Sequence, residues 1–166
     1  MFRAMRRKNQ VLSREECLAV LDRGTSGVLA VHGDDGYPYA VPLSYFYEDG
    51  RLWFHCARSG HKLDAIRKDP RVSFCVVDRD QVVPPQYTTY FRSVILFGKA
   101  RILEDPAEFR EALEKLALRY APDDPPEHRE EIIRRELPGV AMVEVAVEHL
   151  SGKEAIELVR SRHALE

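Results

Sequence analysis

Two acidic, glycine-closed turns sit close together in this chain, Asp34-Asp35-Gly36 and Glu48-Asp49-Gly50. Glycine adopts the positive φ of a tight hairpin turn without steric cost. The runs around them, residues 27–32 (GVLAVH), 37–47 and 51–57 (RLWFHCA), are rich in β-branched and aromatic residues and read as strands. Parallel neighbours would need a crossover of about a dozen residues between them. These turns leave room only for hairpins, so this part of the chain is committed to an antiparallel meander.

The rest of the chain adds helices and further strands. Ser13-Arg14-Glu15-Glu16 has the spacing of a capping box, hydroxyl at the N-cap and carboxylate at N3. Cys17, Leu18, Val20 and Leu21 then supply the apolar face of a helix that stops at Gly24. Residues 61–69 (HKLDAIRKD) read as a helix ended by Pro70, and residues 71–78 (RVSFCVVD) as a fourth strand. Pro84-Pro85 marks residues 79–89 as an irregular loop. Residues 90–103 form a long strand whose internal Gly98 signals a bulge or a barrel bend. Pro106 starts a helix through Tyr120, residues 127–137 read as a charged helix, and residues 139–150 as the last strand. Residues 1–12 form a basic arm and 151–166 a tail with room for one more helical turn. Six strands with early hairpins and no βαβ alternation predict a mainly β fold, a small antiparallel barrel with peripheral helices.

Composition narrows the class. At 166 residues the chain reads as a single domain spanning 1–166, and 45% apolar with 31% charged residues excludes a disordered or fibrous protein. A net charge of −2 gives no basic excess that would point to nucleic acid or an anionic membrane. The three cysteines, Cys17, Cys56 and Cys75, show no CxxC spacing, which argues against a disulfide framework or zinc site. With no apolar h-region after the basic arm, a cytoplasmic protein is expected. The dinucleotide fingerprint GxGxxG and the P-loop are both absent from the sequence.

The segment that bears chemistry is Arg58-Ser59-Gly60-His61-Lys62, where a strand ends and a helix begins. A helix amino terminus carries partial positive charge and favours acidic residues. Here cations crowd it instead, and an anion such as phosphate would reverse the sign of every interaction. The plainer alternative is a solvated basic turn. Pro42, within Val41-Pro42-Leu43-Ser44, has no N–H and belongs at a sheet edge or bulge. Alternation along 51–57 puts Leu52, Phe54 and Cys56 on one face and Trp53, His55 and Ala57 on the other. Trp53 and His55 could line an aromatic ligand, or could simply pack. No nucleophile, paired carboxylate or acid–base set stands out, which suits chemistry carried by a bound cofactor.

With those motifs in view, the chain resembles the pyridoxamine 5′-phosphate oxidase-like split-barrel flavoproteins, and within them the nitroimidazole-resistance branch. The resemblance runs through Met1 to Lys8, Gly33 to Tyr39 with Val41-Pro42, Phe54-His55-Cys56-Ala57, Gly60 to Ile66, Val72 to Val76, Arg92-Ser93-Val94, Gly98-Lys99-Ala100 and Gly152 to Ala155. It implies a split β-barrel that binds FMN at the interface of a homodimer. Residue by residue, it implies that Tyr39, Val41, Pro42, Leu43 and Ser44 contact the flavin from one strand and Phe54 and His55 from a second. It implies that His61 and Lys62 hold the phosphate and that Ser93 approaches the ring. His55 is the candidate catalytic residue, orienting a small electron-poor, nitroaromatic acceptor or supplying a proton. The carboxyl end lacks the tryptophan- and arginine-rich segment with which true pyridoxamine phosphate oxidases bind their substrate. The expectation is therefore an FMN-dependent oxidoreductase of a small acceptor. The alternative is a flavin- or haem-binding protein without turnover, with His55 or His61 as an axial ligand.

Overall fold

A computed structural model of the chain describes residues 2–163; Met1 of the basic arm and residues 164–166 of the tail lie outside the described residues. The strands are β1 (Ser26–His32), β2 (Pro38–Ser44), β3 (Phe46–Glu48), β4 (Arg51–Ala57), β5 (Arg71–Val83), β6 (Thr88–Ile102) and β7 (Val140–Glu154). The helices are α1 (Arg14–Arg23), α2 (His61–Lys68), α3 (Pro106–Tyr120), α4 (Pro126–Glu136) and α5 (Ile156–His163). No helix among the described residues is long and apolar enough to cross a membrane.

All seven strands join one antiparallel sheet in the order β2-β1-β5-β6-β7-β4-β3. Its first and last members, β2 and β3, are separated in the chain by Tyr45 alone. One residue spans at most about 3.6 Å, so the sheet must curl until its two edges nearly meet. The result is a barrel with a split, as the sequence led one to expect. The strand count differs, seven against the expected six, because the run 37–47 is broken at Tyr45 to serve both edges. The turns behave as anticipated: Asp35 and Gly36 take φ of 54° and 80°, and Asp49 and Gly50 take 46° and 79°.

Alternate residues of the strands fill the barrel. Leu29, Leu52, Phe54, Phe74, Val94, Leu96, Val143 and Val145 are all essentially inaccessible. Each such side chain contributes about 1.5–3 kcal/mol by leaving water. Cys17, Val20 and Leu21 of α1 and Leu63, Ala65 and Ile66 of α2 close the same core. The capping box forms, with Glu16 N–H donating to Ser13 Oγ and Ser13 N–H to the Glu16 carboxylate. A second core lies outside the barrel, where Phe46, Trp53 and Met142 meet Phe109, Leu113 and Leu116 of α3 and Ile133 of α4.

Three further expectations change. Residues 79–89 are mostly strand: β5 and β6 stay paired out to Val83 opposite Thr88, and the prolines form a single 3-10 turn at the tip. This projecting ribbon covers no core, so its sequence carries no apolar period. The last strand runs on to Glu154, and the tail forms α5 rather than one turn. Glu154 is buried, yet it accepts from both Nε and Nη2 of Arg92 at 3.0 and 2.9 Å and pairs with Arg162 of α5. Arg92 also reaches Asp78, whose bidentate bonds from Arg23 of α1 hold its carboxyl below the usual range. One chain of charges thus ties α1, β5, β6, β7 and α5 together.

Gly98 marks the bulge. The register of β6 on β7 slips between Phe97, opposite His149, and Gly98, opposite Val147. A Cβ at Gly98 would lie 2.2 Å from the Ala146 carbonyl oxygen, which is backbone and cannot swing away. Gly98→Ala should therefore destabilise the fold by about 1–3 kcal/mol, the range for overpacking a filled interior. A urea unfolding midpoint unchanged from wild type would contradict this account of the bulge.

Candidate functional site

The split is built from backbone first. Gly33 N–H donates to Tyr37 O at 3.0 Å, which fixes the hydrogen-bonded pairs along β1 and β2. Such pairs alternate in an antiparallel ladder, so Pro38, Ala40, Pro42 and Ser44 turn their backbone groups away from β1 toward the free edge. Both prolines fall at positions where no ladder donor is lost, and only Ala40 and Ser44 present an N–H. Across the split, β3 pairs with β4 only as far as Trp53. Beyond it, by the same alternation, His55 and Ala57 turn their backbone groups toward β2.

The side chains of these strands divide. Tyr39, Val41 and Leu43 are half-buried against the main core, while Pro42 and Ser44 are exposed. Phe54, expected at the ligand, is wholly buried: its side chain fills the barrel and its backbone pairs with Val143 of β7, so it does not reach the split. Trp53, which the sequence left open as a ligand-lining residue, packs instead beneath α3, stacked on Phe46 with ring centroids 4.6 Å apart. His55 shares its face but is exposed, at one wall of a cavity under α3 and α4.

At the end of the split, α2 begins at Gly60, whose φ of 135° strains any residue with a side chain. No side chain caps this helix, and the N–H groups of Leu63 and Asp64 both return to Gly60 O. The N–H groups of His61 and Lys62 are the orphan donors that helix geometry leaves at an amino terminus. The His61 ring lies on Tyr39, centroids 4.2 Å apart, with Nε2 3.5 Å from an Asp34 carboxylate oxygen. Lys62 is half-buried and makes no ion pair among the described residues. It lies near Cys56, whose thiol is pushed up by burial and drawn partly back by the ammonium charge. Arg58 departs from the sequence reading. Its guanidinium donates to the carbonyls of Val140 and Leu137, both at 3.3 Å, instead of joining the cluster.

The structure therefore brings together Tyr39, Val41, Pro42, Leu43, Ser44, His55, His61 and Lys62 around the split. Ser93 is not among them. It sits on the outer face of β6, between Val77 and Lys153, with β1 and β5 intervening before β2. A residue that sequence reasoning passed over is Tyr120, at the end of α3. Its hydroxyl accepts from Tyr45 N–H at 3.0 Å and lies 2.6 Å from Tyr45 O, with Thr25 O as a further acceptor. It satisfies the backbone of the residue at which β2 passes into β3. No sequence signal marks it, because an aromatic at a helix end reads only as core.

The pattern of the pyridoxamine 5′-phosphate oxidase family matches residues 13–154. The chain belongs to that family. Solved structures similar to it include a candidate 5-nitroimidazole antibiotic resistance protein from Bacteroides thetaiotaomicron, with a TM-score of 0.72 and 21% identity over 87% of this chain and 86% of that one. A FAD-binding protein from Mesorhizobium loti has a TM-score of 0.65 and 26% identity, over 88% and 97% of the two chains. A FAD- and haem-binding protein from Mycobacterium smegmatis has a TM-score of 0.73 and 24% identity, over 89% and 74%. No curated protein sequence matches the chain. The split antiparallel barrel with peripheral helices is thus the fold that this oxidase family and these structures share.

Tyr120→Phe should open the seam without disturbing the core. Removing the hydroxyl leaves Tyr45 N–H without its acceptor, which costs about 1–3 kcal/mol. The expected signature is faster amide exchange at Tyr45 and its neighbours, with exchange at the Phe54 and Leu96 amides changed only by the overall loss of stability. Unaltered protection at Tyr45 would remove Tyr120 from this role.

Proposed function

We propose that the chain is an FMN-binding flavoprotein that works as a homodimer and passes reducing equivalents to a small electron-poor acceptor. The observation that carries this reading is the uncapped, cation-bearing start of α2 at the end of the split. Orphan N–H groups, a helix dipole and an unpaired ammonium converge there, the combination that a phosphate requires. The residues fit the group: Gly60 leaves open space where a Cβ would stand, and Ala40 and Ser44 turn free N–H groups into the split beside it. The Mesorhizobium loti and Mycobacterium smegmatis relatives, both described as FAD-binding, support a flavin, and the single helix-end cradle favours FMN over a longer cofactor. A flavin held there would supply the redox chemistry, taking up and releasing electron pairs.

The protein's own contributions are positional. Lys62 and the α2 amides hold the phosphate. Gly33 and Tyr39 set the position of His61, whose Nε2 lies 3.5 Å from Asp34, so Lys62 is the side chain left to meet the phosphate. The β2 edge meets polar atoms of a planar ring with backbone N–H groups that need no reorganisation. His55 orients the acceptor or delivers a proton to it. Because Lys62 would touch the phosphate alone, Lys62→Ala should weaken FMN by about 1.5–3 kcal/mol while leaving riboflavin unaffected. Parallel fluorescence titrations decide it, and equal losses for the two ligands would remove the phosphate assignment.

The homodimer reading rests on the outer face of the sheet. Val28, Cys75 and Ile95 line up in register across β1, β5 and β6, flanked by Val77 and Ser93 on one side and Phe97 on the other. Val28, Val77, Ile95 and Phe97 are exposed there. An isologous pairing through this stripe would cover it and carry Ser93 to the other protomer's split. Sedimentation equilibrium should find a dimer for wild type, and a monomer with weakened FMN binding for Ile95→Asp. A wild-type monomer that binds one FMN tightly would overturn the pairing.

A further inference from the structure

The cavity beneath α3 and α4 has no role in seating a flavin phosphate, yet it opens on the same split. It measures about 280 Å³. Leu113, Leu116 and Ala117 of α3 and Ile133 of α4 make its floor, and three of these four are almost wholly buried. Four residues supply its polar lining. Ser44 comes from β2 and His55 from β4, one from each side of the split; Tyr120 and Glu136 stand at the helix ends. No lysine or arginine lines it. We propose that this cavity is a binding subsite for a small, uncharged, two-ring aromatic compound, with Ser44 and His55 meeting its polar substituent.

Volume, polarity and charge select that class. An apolar cavity of about 150 Å³ takes one benzene ring, so the volume here suits a fused pair. Apolar walls with a few polar groups at one end are the usual make-up of a small-molecule pocket, binding by burial and orienting by the polar end. An anion would meet the Glu136 carboxylate, whose partner Arg135 does not line the cavity. A charged ligand would lose its hydration against Leu113, Leu116 and Ile133, and a cation would find in Glu136 a carboxylate already paired with Arg135. The subsite deepens the flavoprotein reading and rests on it for its meaning, because Ser44 and His55 also border the proposed flavin site. An occupant would be delivered to the split from the helix side.

The test uses the full flavin-free chain, so that it does not depend on turnover. 1-Nitronaphthalene is the uncharged probe, and 4-nitronaphthalene-1-sulfonate its anionic counterpart, both titrated by calorimetry. Ala117→Phe fills the floor, and Ile132→Asp places a charge in the α4 wall; the two variants lie on different helices, and circular dichroism checks each fold. The expected result is binding of the neutral probe to wild type, about tenfold or more weaker in each folded variant, and little binding of the sulfonate. FMN affinity, measured separately by flavin fluorescence, should stay within about twofold in both variants. Equal affinity of wild type and variants for the neutral probe, or equal binding of the sulfonate, overturns the subsite. If wild type binds the neutral probe as expected but no FMN, the flavin reading fails and the subsite stands. If it binds FMN but not the probe, the subsite fails and the flavin reading stands.

Discussion

Everything in this molecule depends on the single residue between β2 and β3. Those strands are the outermost members of the sheet, and Tyr45 alone connects them. A flat sheet with this strand order is impossible, because its edges would stand many strand widths apart, at about 4.8 Å each. Closure follows from chain continuity, and the main core is what closure encloses. Tyr45 is secured accordingly. Its side chain is completely buried with the hydroxyl donating to Leu21 O, and its backbone is held from outside by Tyr120. Helix α1 from within and α3 from without thus grip the same residue.

The barrel stays split because β3 is short. It covers β4 only as far as Trp53, and β2 turns away to pair with β1. The gap that remains is bounded by main chain, which places N–H groups with the accuracy of a ladder. The uncapped start of α2 at its end lies on a helix whose far side, Leu63 and Ile66, is anchored in the core. The site is therefore as rigid as the fold, while the cavity under α3 and α4 belongs to a separate and smaller core.

Local rules made much of this legible in the sequence. The glycine turns, the Ser13 capping box, the bulge at Gly98 and the edge position of Pro42 each follow from one residue's stereochemistry, and each is found. What escaped depends on partners distant in the chain. The break at Tyr45 carries no signal, since the aromatic run Tyr45-Phe46-Tyr47 continues the strand with no turn residue to mark it. The ribbon beyond Asp78 has no core to impose a period, so its prolines dominated the reading. Glu154 falls in the expected tail, and nothing there marks it as buried: a lone carboxylate is costly to bury, and Arg92 and Arg162, which compensate it, lie elsewhere in the sequence. In the site, the unusual charge pattern around α2 was visible, but not that Arg58 is claimed by the carbonyls of β7 and its approach.

The two prolines of β2 have a consequence for what the split can admit. A strand docking on a sheet edge needs a donor and an acceptor at every second residue, and Pro38 and Pro42 leave two of the four outward positions of β2 without a donor. An extended peptide, or the same edge of another copy, would find a ladder with rungs missing. A compact planar molecule needs only one or two N–H groups and finds them at Ala40 and Ser44. The edge thus leaves isolated N–H groups facing the split while resisting the strand-on-strand growth that leads to aggregation.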